Sequence, residues 1–412
     1  MKLVGVLHAE AILANGPSRR ACARRTCPPA GFMRFRAVVA ALVPVLLQGP
    51  LHAWPVDPVS AARIGRFKLA ELAPDGRWDL TGTFEAVPAA AGGTLAYVFD
   101  LHPRGFVIVS GDNSLPPVIA YSLENALDAP GDHPNPLRAL LRSDLENRLA
   151  NGHKIPRAWR ETNREAWDAC LREDAQTDTQ RDFRQWPPQG TTSTGGWLAT
   201  RWTQDPPYNG FCPVDPTTGR RSLAGCPAVA MAQILHYHTS LNGTRFSDAD
   251  DYFHNYAGQY MIDDDHELHG FPSFPELNVN LDTLTAHYEY GGPITNTDKA
   301  AVVFACGVAA HQVYSSQGSG TFGVDQAYQA YLRFAHDEVE LLGEATPLLY
   351  PRLAVNMIDG LPAHLAVVTP QWNAGHNLVV DGYNTTGYFH MNFGWGGFPT
   401  RGMIFPRSCR TT

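Results

Sequence analysis

The 412-residue sequence predicts an α+β protein, and three stretches carry that prediction. "LAYVFDL" (95–101), "GFVIVSG" (105–111) and "PVIAYS" (117–122) are β-rich runs separated by the turns "HPR" and "DNSLP". "PAVAMAQILHYH" (227–238) has no internal glycine and sets Val229, Met231, Ile234 and Leu235 within three turns, which reads as a helix. "AGHNLVVDGYNTTGYFHMNFGWGG" (374–397) reads as a β-hairpin turning at "NTTG" (384–387).

These elements divide into two folded units. Residues 54–170 read as a small α+β unit, its strands followed by a helix with Leu137, Leu141, Leu145 and Leu149 at four-residue spacing and Gly152 past its end. Residues 171–196 are polar and rich in Thr, Gln, Pro and Gly, the composition of an exposed linker that proteases cut. From residue 197 to 412 the texture is that of one compact domain, opening with loops and ending in strands rich in Gly and aromatics. Residues 1–53 read as an N-terminal extension and signal peptide. Met33-Arg34-Phe35-Arg36 is a basic start, "AVVAALVPVLL" (37–47) an apolar core, and "LHA" ending at Ala53 a small-residue cleavage site. The apolar run falls short of the ~20 residues a membrane span needs. Residues 1–32 hold four Arg and no apolar periodicity, so translation is expected to start at Met33 and the product to be secreted.

Composition narrows the function. With 44% hydrophobic and 17% charged residues the chain is ordinarily globular, and a net charge of −8 gives no support for a nucleic-acid or anionic-membrane partner. The seven cysteines lie at 22, 27, 170, 212, 226, 306 and 409. No CxxC occurs, which argues against a zinc site or a thioredoxin-type motif, and an odd count leaves at least one free thiol.

Cys226 stands out among them because it sits between Gly225 and Pro227 at the start of the 227–238 helix. Proline fits the first helical position, where its missing N–H costs nothing. Cys226 is thereby placed at the N-cap, facing unpaired backbone N–H groups and the positive end of the helix dipole. A thiolate is stabilised there, and the thiolate is the nucleophile. Such a nucleophile needs a base, oxyanion donors and a group that orients the base. His376, 150 residues on and at the mouth of the hairpin strand, is the candidate base. Other constellations are weaker. His236 and His238 are two apart on a helix and do not face one metal. "DDDHELH" (263–269) lacks a bidentate carboxylate at fixed spacing and reads as a solvated loop, while "QGSGTFG" (317–323) lacks G-x-S-x-G. No metal or organic cofactor is expected.

With these residues in view, the C-terminal domain resembles a streptopain-type cysteine peptidase, a branch of the papain-like fold. The matching pieces are "WTQDPPYN" (202–209), "GCPAVAMAQILHYH" (225–238), "YSSQGSGTFG" (314–323), "GHNLVVDGY" (375–383) and "HMNFGWGG" (390–397), in the family's order. Upstream, "GFVIVSGDNSLPPVIAYS" (105–122) resembles the family's propeptide. The resemblance implies Cys226 as nucleophile, His376 as proton acceptor and Gln204 as oxyanion-hole glutamine. It places Ser319, Gly375 and Trp395 along the substrate cleft and Asn392 as the residue that orients His376. It also implies protein and peptide substrates, an own propeptide acting as intramolecular inhibitor, and synthesis as a zymogen. A Cys–His acyl transferase and a catalytically inactive binding or inhibitor protein are the alternatives.

Side-chain parity bears on Asn392. With a symmetric turn centred between Thr385 and Thr386, His376 faces Trp395, shares a face with Phe393 and Met391, and leaves Asn392 on the other face. A bulge at Gly387 would return Asn392 to the His376 side, and the sequence leaves both registers open. Phe393 stands where the family usually has tryptophan. The chain also ends soon after "RGMIFPRSCRTT", sooner than the resemblance implies.

Overall fold

The computed structural model describes residues 8–14, 55–90, 92–124, 126–127, 136–150, 157–172, 183–336, 338–343, 348–369 and 375–395. The export segment, residues 173–182 of the linker, and Cys22, Cys27 and Cys409 lie outside them. In chain order the elements are β1 (His8–Ala14), α1 (Pro58–Leu72), β2 (Asp79–Pro88), β3 (Thr94–His102), β4 (Phe106–Ser110), β5 (Val118–Ser122), α2 (Pro136–Ala150), α3 (Arg157–Leu171) and β6 (Gln185–Trp186). They continue with α4 (Cys226–His238), β7 (Tyr252–His254), β8 (Tyr260–Ile262), α5 (His266–His269), α6 (Phe274–Tyr290), α7 (Asn296–Ala309) and α8 (Val324–Arg333). Last come β9 (Val339–Gly343), α9 (Leu349–Ile358), β10 (Ala363–Val368), β11 (Gly375–Asn384) and β12 (Phe389–Asn392).

Two antiparallel sheets organise these elements. The smaller carries the order β2-β3-β4-β5, and the larger carries β12-β11-β10-β1-β9 with β6 added to β11. Because successive side chains on a strand point to opposite faces, each sheet feeds two cores. Val379 of β11 joins the apolar helix α4 and helices α6, α7 and α8 on one face of the larger sheet. Its neighbours Leu378 and Val380 join Met391 and Phe393 on the other face, in a core shared with Leu353 and Met357 of α9, Leu141 and Leu145 of α2, and Val98, Ile108 and Ala120 of the smaller sheet. The far face of the smaller sheet is closed by Ala61, Ile64 and Leu69 of α1 and Trp167 of α3. The order of layers is therefore helices, large sheet, a core that α9 and α2 share, small sheet, helices. Residues Pro227 to Leu235 of α4 are all buried, so this helix is buried around its whole circumference, with Gln233 the one polar side chain among them.

One strand departs from the sequence reading. Residues 8–14, assigned above to an extension outside the folded domains, form β1 and pair with β10 on one side and β9 on the other. Ile12 enters the helical core, while Ala11 and Leu13 enter the core between the sheets. A seven-residue run with only two large apolar side chains carries too little pattern to stand out, and partners more than 300 residues away supply the missing information. Ile12→Ala should lower the stability of the full chain by about 2–5 kcal/mol, the usual cost of such a truncation in a packed core. The check is the urea midpoint at constant slope; an unchanged midpoint would mean that β1 is not docked.

The linker is also more anchored than its composition suggests. Trp186 pairs with Tyr383 of β11 and stacks on its ring, and Trp197 N–H donates to Asp381 O at 2.7 Å. Gly196 lies so close to Asp381 and His390 that a β-carbon there would overlap both. Residues 188–191 and Ser193, between these anchors, are exposed. At 186–187, 194 and 196 tertiary contacts override the polar composition.

Candidate active site

The nucleophile candidate is set by the turn before α4. Gly225, not Cys226, is the N-cap, with φ of +84°, and Cys226 is the first helical residue. Glycine is needed there twice over. The backbone is left-handed, and a β-carbon would lie 2.4 Å from Gln312 Oε1. Gln312 in turn donates from Nε2 to Ala224 O at 2.9 Å, holding the approach to the helix. On the other side Ala224 N–H donates to Gln204 O at 2.9 Å, which fixes the Gln204 backbone to a residue two before Cys226. The loop of Ser319 is fastened to the same segment: Leu223 N–H donates to Ser315 O, and Ser319 Oγ both accepts from Ser315 N–H and donates to Ser315 O. Gly375 opens β11 opposite Val368. Cys226, Gln204, the Ser319 loop and the start of β11 thus converge on one region.

His376 and Asn392 are placed less simply. Among the described residues Cys226 Sγ is bonded by Asn377, whose backbone N–H and Nδ2 donate at 3.4 and 3.8 Å. His376 lies on the opposite face of β11. Its Nε2–H donates to Phe393 O at 2.8 Å, and its ring stacks on Phe393 and packs against Trp395, at centroid distances of 5.8 and 4.8 Å. That bond leaves Nδ1 unprotonated, the tautomer a base requires, but turned away from the thiol. Asn392 faces α4 instead: Nδ2 donates to Thr200 O and Gln233 Oε1, and Oδ1 accepts from Gly394 N–H. Asn392 therefore braces β12 against α4, and the Phe393 carbonyl is what orients His376. The hairpin pairs Val379 with Asn392 and Val380 with Met391, and its bulge falls between Val380 and Gly382 rather than at Gly387. The displaced bulge turns the buried Asp381 carboxylate to Leu198 N–H and His390.

Electrostatics agree with a thiol and an imidazole held apart. Burial pushes the Cys226 thiol up, only partly opposed by the Asn377 donors, so the depressed pKa expected from the helix terminus is not present in this arrangement. Burial likewise drives His376 down to about 4. Both groups are neutral at pH 7 and no ion pair exists between them.

Several residues of this region were not singled out from the sequence: Asn377, Gln312, and His364 of β10, whose Nε2–H donates to Asn377 Oδ1 at 2.7 Å. Strand alternation could have found Asn377, since it must face oppositely to His376. The other sites dissolve into structure. Asp263 and Asp265 accept from the backbone N–H groups of Phe274 and Met261, and His236 bonds Tyr288. Among the described residues no cluster of three or more His, Cys, Asp or Glu could hold a metal ion.

Comparison with known proteins places these features in a family. Residues 202–400 match the Peptidase C10 family, and residues 88–147 match the Spi protease inhibitor family. The chain is 26% identical over 316 residues to the thiol protease/hemagglutinin PrtT of Porphyromonas gingivalis, covering 74% of this chain and 33% of that protein. It is 22% identical over 321 residues to streptopain of Streptococcus pyogenes, covering 74% of this chain and 72% of the relative. It thus spans about a third of PrtT and nearly three quarters of streptopain. A prointerpain A fragment of Prevotella intermedia superposes over 78% of this chain and 91% of its own, with a TM-score of 0.47 and 18% identity. The chain carries a Peptidase C10 domain, that of a cysteine peptidase, preceded by a Spi-like propeptide unit.

Proposed function

We propose that the protein is a secreted cysteine endopeptidase made as a zymogen, and that the arrangement described above is its latent form. The observation that carries this reading is the contact between the Spi-like unit and the hairpin bearing His376. Tyr388, in the hairpin turn, donates to Val118 O at 3.0 Å, and its ring centroid lies 5.5 Å from that of Tyr121. The buried Lys68 amine stands 4.3 Å from the Tyr388 ring centroid and pairs with Glu71 at 3.0 Å. The core between the sheets continues this contact along the face of β11 and β12 that carries His376. The propeptide thus supports the hairpin in the position that keeps imidazole and thiol apart.

In the working enzyme His376 Nδ1 takes the Cys226 proton, and Sγ attacks the scissile carbonyl carbon as its C=O π electrons move to oxygen. The Gln204 side-chain N–H and the backbone N–H of Cys226 receive that oxyanion. On collapse the C–N bond breaks, and the His376 imidazolium gives its proton to the leaving amine. Water, deprotonated by His376, then releases the acyl group and restores the thiol. The site chemistry calls for no cofactor. No described helix is long and apolar enough to cross a membrane. Export with removal of residues 1–53 would take β1 from the sheet, so Ile12→Ala alters stability only in a chain that keeps it.

Gln204→Ala separates oxyanion binding from substrate binding. Loss of one oxyanion donor costs ~10²–10³ in turnover. The matured variant should therefore show a kcat reduced in about that range with KM little changed. Steady-state kinetics on a peptide substrate decide it; a rise in KM alone would move Gln204 to substrate binding.

A further inference from the structure

We propose that Asn377 is a positioning residue that holds the Cys226 thiol in place of His376, so that activation requires residues 376 and 377 to exchange faces at the start of β11. The inference rests on reading this arrangement as the latent form. Consecutive residues of an extended strand point to opposite faces, so His376 and Asn377 cannot both face α4. Here Asn377 has that face and makes both hydrogen bonds to Sγ.

The amide is held in a directed chain of buried groups. Its Oδ1 accepts from His364 Nε2–H at 2.7 Å, and His364 Nδ1 faces Tyr331 Oη at 3.4 Å. With Nε2 protonated, Nδ1 accepts from the Tyr331 hydroxyl, and Asn377 Oδ1 is fixed toward His364, which turns Nδ2 toward sulfur. Tyr331 and His364 are both 0% exposed, so water does not compete for the link between them, while Asn377 is half-buried. His376 has its own hold on the other face, in the Phe393 carbonyl and the Phe393 and Trp395 rings. Both sets of contacts hold the same facing of one strand end, and the opposite facing, with His376 toward α4, breaks them together, which is the all-or-none behaviour of a two-state element. Residues 376 and 377 lie at the first two positions after Gly375, so exchanging their faces breaks only the end pairings with Val367 and Ala366 and leaves Leu378 opposite Leu365.

The test uses the full-length precursor with residues 188–193 replaced by an uncleavable sequence. Cys226 is labelled with a peptidyl acyloxymethyl ketone, which reacts with the assembled thiolate–imidazolium pair. Asn377→Ala removes contacts present only in the latent arrangement, so labelling should be about threefold to tenfold faster than in the parent precursor, the range set by one or two net hydrogen bonds. His364→Phe should shift it in the same direction. His364→Gln, which keeps an N–H for Asn377 Oδ1, should restore a rate near the parent's; a merely structural role would not distinguish the two. Asn377→Ser serves the same purpose where the alanine variant fails to accumulate. Labelling of both Asn377 variants at or below the parental rate would overturn the proposal while leaving the zymogen reading intact. A parent precursor that labels as fast as the matured enzyme would overturn the zymogen reading itself.

Discussion

Cys226→Ser protein, cut to the mature form by active enzyme, should fold normally and lose peptide-bond hydrolysis by more than about 10⁴-fold, the scale seen when a covalent nucleophile is removed. The substitution changes one atom at the first residue of α4 and keeps a hydrogen-bonding group in the same place, so stability is little affected. What is lost is the group whose deprotonated form attacks. The other described cysteines supply the control. Cys212 and Cys306 are fully buried, and burial raises both thiols, Cys212 to about 12. Cys170 is pushed up to about 11. Thiols so placed are inert packing groups. Cys306→Ala should accordingly leave most activity in the fraction that folds, measured per folded molecule by active-site titration. Parental turnover from Cys226→Ser, freed of the activating enzyme, would remove Cys226 from the mechanism.

The placement of Cys226 at a helix start was legible because glycine, cysteine and proline in succession impose a local backbone. Gly225 supplies the left-handed φ, Pro227 starts the helix, and the thiol follows within one residue of its expected place. The strands of residues 95–122 and the hairpin were legible for the same reason: their patterns lie within a dozen residues. What escaped depends on distant partners. β1 has little pattern of its own and exists through β9 and β10. The facing of His376 was readable as a parity, and the pairing of Val379 with Asn392 is the symmetric-turn register near the thiol. The bulge at Asp381 was not readable, because the buried carboxylate satisfies Leu198 N–H and His390 from two other parts of the chain. The raised thiol pKa escaped too. A helix terminus stabilises the thiolate locally, but the packing that desolvates Sγ is assembled from β11 and α4 together.

The second large effect concerns the link between the two units. Full-length protein should convert with time to a species of about 220 residues by cleavage within 188–193, whereas Cys226→Ala protein stays full length until active enzyme is added. A cut in this loop is expected because it is exposed between two anchors, Trp186 on Tyr383 and Gly196 against Asp381. Tethered, the Spi-like unit meets the hairpin at an effective concentration of roughly millimolar, as short linkers give. Released, it must bind from dilute solution, and its hold on Tyr388 and the face of β11 and β12 weakens by the same factor. The hairpin is then free to leave the position in which Phe393 O holds His376. Tyr388→Ala removes the hydrogen bond to Val118 O and the ring's contacts with Tyr121 and Lys68, so it should shorten the half-time of conversion severalfold. The time course is read on gels with the new N-terminus sequenced. Precursor that cannot be cut in 188–193, yet digests casein as fast as the 220-residue species, would make the N-terminal unit an accessory domain with no inhibitory role. Cleavage outside 188–193 with full activation would keep the zymogen and move the maturation site.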